Sequence, residues 1–209
     1  YLVKEGYNVR IVNLDPGVLE LVYKADFDIR TKFTVESIMR EKGLGPNGAI
    51  LEAVERLPHV EIPIFEDADY ILYDTPSQLE PFLFRDSGRK IIDKLENCCC
   101  LFLGDLSVPR KNLIGFFLYA LTVRYVLETE TLALLNKVDR LSCEEMEEVK
   151  RFVEDPLYLF KDPTSLKDEM NMEVVKALRR FFPPQRVPLI SAKTGFGFDE
   201  LLTLLYEVR

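Results

Sequence analysis

The chain has 209 residues, a length that suits one compact α/β domain better than two. Hydrophobic residues make up 47% and charged residues 30%, a globular balance that excludes a disordered or collagen-like chain. Acidic side chains outnumber basic ones 35 to 27, a net charge of −8 that repels a phosphate backbone, so direct nucleic-acid binding is not expected. No apolar run approaches the ~20 residues that span a bilayer, so no membrane partner is expected either.

Taken in chain order, Tyr1 to Gly6 read as the last turn of a helix with its glycine stop, as if the helix began upstream. Val9 to Leu14 is strand-like and ends at Asp15-Pro16-Gly17, a turn signal. Thr34 can cap a helix over Val35 to Lys42, which Gly43 ends. Gly43-Leu-Gly45-Pro46-Asn47-Gly48 joins it to a second helix over Asn47 to Leu57, with Asn47 as the expected N-cap. His59 is the only histidine, which excludes a multi-histidine zinc site.

Tyr70 to Tyr73 is the next strand, running into Asp74, and a turn at Ser87 or Gly88 opens a helix over Lys90 to Leu95. Cys98 to Leu103 is a strand on which Cys98, Cys99 and Cys100 alternate faces and cannot converge on one metal. Cys143 is distant, and four such thiols fit a reducing, cytoplasmic setting. A long apolar helix over Pro109 to Leu127 precedes the strand Thr131 to Leu135. Ser142 and Glu145 form a capping box for Glu144 to Val153, and a helix over Leu166 to Phe182 stops at Pro183-Pro184. Val187 to Ile190 is the last predicted strand, and Asp199 opens the last helix, through Val208.

The strands are apolar on both faces, as buried parallel strands are. Alternation with helices predicts a doubly wound, mainly parallel α/β sheet forming a single domain over 1–209. Each strand ends in a small or polar residue, where such sheets present their ligands.

Two strand ends carry base-reading chemistry. Asn136-Lys137-Val138-Asp139 follows one strand, and Ser191-Ala192-Lys193 follows another. One carboxylate can accept both N–H donors of a guanine edge, at N1 and the 2-amino group, as Asp139 would; adenine presents an acceptor at N1 and is rejected. Lys137 would lay its stem on the purine face, Asn136 would tie the two loops together, and the Ala192 N–H would meet guanine O6. Each charge-assisted bond contributes about 1.5–3 kcal/mol. Asp74-Thr75-Pro76-Ser77-Gln78-Leu79-Glu80 places a carboxylate where it can hold a Mg²⁺-bound water, with Gln78 and Glu80 beyond it to orient an attacking water. Asp15 is expected to point into the same crevice and share the metal.

With these residues in view, the chain resembles the GPN-loop GTPases of the signal-recognition-like branch of P-loop proteins. The resemblance rests on Asn13-Leu-Asp-Pro16, Asp28-Ile-Arg30, Gly45-Pro-Asn47, Asp74 to Glu80, Asn136-Lys-Val-Asp139 and Ser191-Ala192, in the family's order. It implies a homodimer that hydrolyses GTP to GDP with Mg²⁺, the Gly-Pro-Asn loop of one subunit placing Asn47 against the terminal phosphate, or the released phosphate, in the other. It implies that Asp15, Asp74, Gln78 and Glu80 position water and metal, and that Asp28 and Arg30 belong to the switch that answers the γ-phosphate. It also implies a helical insertion over 140–186 at the dimer interface, and a client among large macromolecular complexes.

Two departures stand out. Ser77 replaces a family glycine, which restricts the backbone near the γ-phosphate. No Gly-x-x-x-x-Gly-Lys-Ser/Thr occurs in the 209 residues, so the first strand and phosphate loop of a G domain are expected upstream of Tyr1. Association costs about 4–15 kcal/mol, so these residues alone are expected to bind GTP weakly or not at all. The other readings are a non-catalytic dimerising scaffold and an ATP-dependent relative, which Asp139 opposes.

Overall fold

Among the described residues five strands carry the loops of interest, and each pairs in parallel within its own sheet. A computed structural model describes residues 1–95, 97–107, 113–160, 165–183 and 186–208. They form two compact units, Tyr1–Glu96 and Asn97–Arg209. The class is the expected α/β with parallel sheets flanked by helices, but the described strands pair as two sheets, one in each unit, rather than as one.

In the N-terminal unit the order is β2-β1-β3, from β1 (Val9–Asn13), β2 (Phe27–Asp28) and β3 (Tyr70–Asp74). β2 is too short to leave an apolar run, which is why the sequence pattern does not show it. Helix α1 (Val35–Lys42) starts and stops as predicted: the Ser37 N–H donates to Thr34 Oγ1, and Gly43 turns out in the left-handed region at φ 63°. Helix α2 (Pro46–Arg56) starts one residue early. Gly45 is its N-cap and Pro46 occupies the first turn, so Asn47 is not the cap expected of it. Ile38, Ala49 and Ala53 bury the seam between α1 and α2, and Arg56 clamps Glu41 and Glu52. Helix α3 (Leu79–Phe84) was not expected, because the acidic turn before it masks a single apolar face. Helix α4 (Ser87–Ile92) follows. Val12, Leu14, Ile29, Val54, Phe82 and Ile91 form this unit's main core.

In the C-terminal unit β4 (Cys99–Asp105) pairs with β5 (Glu130–Asn136) over seven residues in register. The helices are α5 (Leu113–Leu127), α6 (Cys143–Glu154), α7 (Leu166–Leu178) and α8 (Phe198–Val208). The predicted start of α5 at Pro109 lies outside the described residues. Alternate residues of β5 bury on opposite faces: Ala133 and Leu135 join Phe117, Val149 and Val175, while Leu132 and Leu134 join Leu201 and Leu204 of α8. Helices thus cover both faces of this sheet, as double winding requires. The last predicted strand, Val187 to Ile190, makes only one bridge, Leu135 to Leu189. Pro188 has no N–H to extend that ladder. Among the described residues no helix is long and apolar enough to cross a membrane.

Candidate functional site

In the N-terminal unit the register brings three polar residues level at the strand ends. Asn13 of β1 stands opposite Asp28 of β2 on one side and Asp74 of β3 on the other. The buried Asn13 side chain donates to Asp28 Oδ1 at 2.9 Å and accepts the Asp15 N–H at 3.0 Å. Asp15 in turn accepts the Gly17 N–H through Oδ1 at 2.8 Å and the Ser77 N–H through Oδ2 at 3.1 Å. Asp15 therefore touches the loop that follows Asp74. Each Asp15 oxygen already carries one backbone donor, which suits the residue to holding that loop. Asp74 accepts the Tyr23 hydroxyl on Oδ2, and no hydrogen bond to its Oδ1 occurs among the described residues. Burial, reinforced by that bond, holds the Tyr23 phenol above its ordinary range.

Arg30 is spoken for. Its guanidinium grips the Asp28 carboxylate through Nε at 3.0 Å and Nη2 at 2.7 Å, and its Nη1 donates to the carbonyls of Val18 and Leu19. The Arg30 hydrogen bonds hold Asp28 down at about 2. A depressed carboxylate stabilises the fold above its unfolded value near 4. That contribution is lost as pH falls from about 4 through 2. We expect Arg30→Gln to lower the melting temperature most at neutral pH, with the gap to the natural chain narrowing toward pH 2; melting curves at stepped pH check this, and a gap independent of pH would contradict it. A cleft of about 360 Å³ opens beside this cluster, lined by Pro16, Gly17, Asp28, Arg30 and Thr34 among others.

Gln78 takes the N-cap position of α3 without making a side-chain cap, and Glu80 lies in its first turn; both are exposed. Gly45, Pro46 and Asn47 are exposed at the tip of the α1–α2 hairpin. Relieved of capping, the Asn47 amide makes no hydrogen bond among the described residues.

In the C-terminal unit the predicted joining of two loops is present. The Ser191 hydroxyl donates to Asp139 Oδ1 at 2.6 Å, and the Ala192 N–H donates to Asn136 Oδ1 at 3.1 Å. The Asp139 carboxyl lies below its ordinary range chiefly because of that hydroxyl. Asn136 does tie the loops together, but it engages the amide expected to meet guanine O6, so O6 would share that proton. Lys193 is exposed, and its charge adds to the depression of Asp139. Lys137 Nζ reaches Asp105 Oδ2 at 2.5 Å.

Sequence reasoning gave no role to Asn13, Tyr23 or Asp105. Asn13 and Asp105 had a usable signal, a polar residue closing an apolar strand. Tyr23, inside an irregular loop, had none.

Residues 1–208 match a family described as a conserved hypothetical ATP-binding protein. GPN-loop GTPase PAB0955 of Pyrococcus abyssi (strain GE5 / Orsay) is 38% identical, over 98% of this chain and 87% of its own length. GPN-loop GTPase 3 of Yarrowia lipolytica is 28% identical, over 97% and 81% respectively. The crystal structure of PAB0955, described as a GTPase in apo form, matches with a TM-score of 0.84 at 36% identity, over 98% of this chain and 87% of that one.

Proposed function

Because this chain belongs to the GPN-loop GTPase family, we propose that it binds and hydrolyses GTP as a homodimer in the cytoplasm, serving the assembly of a macromolecular complex. The observation that carries the reading is the joining of Asn136 to Asp139 with Ser191 and Ala192 by side-chain hydrogen bonds. A carboxylate held ionised there matches two adjacent donors on guanine. It opposes adenine, although the matched family is described by ATP.

Asp74 fits a metal-held water, since its Oδ1 takes no hydrogen bond among the described residues while Tyr23 holds Oδ2. Bound with the nucleotide, Mg²⁺ would neutralise charge on the phosphate oxygens. Asp15 holds the Ser77 amide and so sets the path of the loop leading to Gln78 and Glu80, which orient the attacking water. Asn47, on a hairpin stiffened by ion pairs, supplies a neutral donor to the terminal phosphate of a second copy's nucleotide. No Gly-x-x-x-x-Gly-Lys-Ser/Thr stands in the 209 residues, and base contacts alone barely offset the cost of association.

The test is phosphate release by the full-length gene product from GTP against ATP. We expect GTP hydrolysis only, and a slowing of about ten- to a hundred-fold by Asn47→Ala with GDP affinity unchanged, as for loss of a transition-state donor. Equal turnover of ATP would sink the guanine reading, and unchanged single-turnover rates would sink the role of Asn47. One observation favours the non-catalytic reading: the Ser77 amide, in the loop expected to meet the γ-phosphate, is already engaged by Asp15. GDP binding without hydrolysis would select it.

A further inference from the structure

We propose that Asp105, at the end of β4, is a positioning residue of the base-binding loop, fixing the Lys137 side chain before a guanine arrives; this rests on the guanine reading above. The β4–β5 register sets Asp105 opposite Asn136, the residue before Lys137. The Ser107 N–H donates to Asp105 Oδ1 at 2.8 Å, which orients the carboxylate. The other oxygen, Oδ2, takes the Lys137 ammonium. At the opposite end of the same residue, the Lys137 N–H donates to Asn136 Oδ1 at 2.7 Å.

Lys137 is thus held at both ends, and its backbone explains why it must be. Its φ is 72° and ψ 32°, in the left-handed region where glycine or asparagine sits with less strain. A lysine placed there is present for its side chain, and a strained residue keeps such a conformation only where its surroundings over-determine it. Asp105 and Asn136 supply that determination.

The pair is substantially exposed, at 40% for Lys137 and 43% for Asp105, so it adds little to fold stability. Its value lies in preorganisation: a side chain already ordered loses less freedom when the base stacks on its stem. The effect should therefore appear in nucleotide affinity and not in melting temperature.

The test is a double-mutant cycle in the full-length gene product, with GDP affinity and melting temperature read for Asp105→Asn, Lys137→Met and both together. We expect Asp105→Asn to weaken GDP binding about three- to five-fold. In the Lys137→Met background it should have no further effect, melting temperatures should stay within about 2 °C of the natural chain, and Asp105→Glu should recover part of the loss. Equal losses in both backgrounds, or unchanged affinity in Asp105→Asn, would overturn the proposal while leaving the guanine reading intact. Asp139→Asn is the control for that reading: if it fails to shift preference from guanine to xanthine, the guanine reading falls and this proposal with it.

Discussion

Gly197→Ala should lower the melting temperature of the C-terminal unit by roughly 10–20 °C, a loss of about 2–5 kcal/mol. Two causes add. Gly197 sits at φ 77°, where a Cβ is strained, and the Cβ would come to 2.2 Å from the Leu189 carbonyl oxygen. That oxygen is backbone and cannot swing away as a long side chain could. Gly195 provides the control: its φ is 82°, yet a Cβ there would meet nothing within 4 Å. Gly195→Ala should therefore cost only about 1 kcal/mol, the strain alone. Calorimetry of both variants separates the two causes, and equal shifts would show that the close approach to Leu189 is unimportant. The position bears on the proposed base site because Leu189 lies two residues before Ser191, and the Ser191 N–H donates to the Phe196 carbonyl at 3.0 Å in the same turn.

Asp139→Asn should exchange the base preference, weakening GDP by roughly a hundred-fold or more and strengthening the xanthine nucleotide over it. The carboxylate offers two acceptors to guanine's two donors. An amide offers one acceptor and one donor, which clashes with guanine's 2-amino group and pairs with the 2-oxo group of xanthine. Ser191 can still donate to the retained side-chain oxygen, as it does to Asp139 Oδ1 at 2.6 Å, so the loop need not rearrange. Competition between GDP and the xanthine diphosphate in the full-length gene product reads the exchange directly. A variant that kept its preference for GDP would falsify the assignment of Asp139 to the base edge.

Much of the site is local in character and was therefore legible. Asp15, Asp74, Asn136, Asp139 and Ser191 each close or follow an apolar strand, and strand ends are where a parallel sheet exposes ligand groups. The Thr34 cap, the Gly43 stop and the Ser142–Glu145 box follow from near-neighbour chemistry, and all three formed as read. Two local readings failed for equally local reasons. Proline at the first helical position moved the cap of α2 from Asn47 to Gly45, and Pro188 left the last predicted strand with a single bridge.

By itself, then, the order of residues determined the α/β class, the polar strand ends, and the two pairs of loops that meet, since hydrophobic period, caps and motif spacing are properties of neighbours along the chain. Only the folded molecule decided which distant partner each polar side chain takes: Tyr23 on Asp74, Asp105 on Lys137, and the pairing of strands as two separate sheets. The reason is physical. Those contacts join residues up to 51 positions apart through strand register and loop path, and a side chain's partner is fixed by where the backbone sets it down.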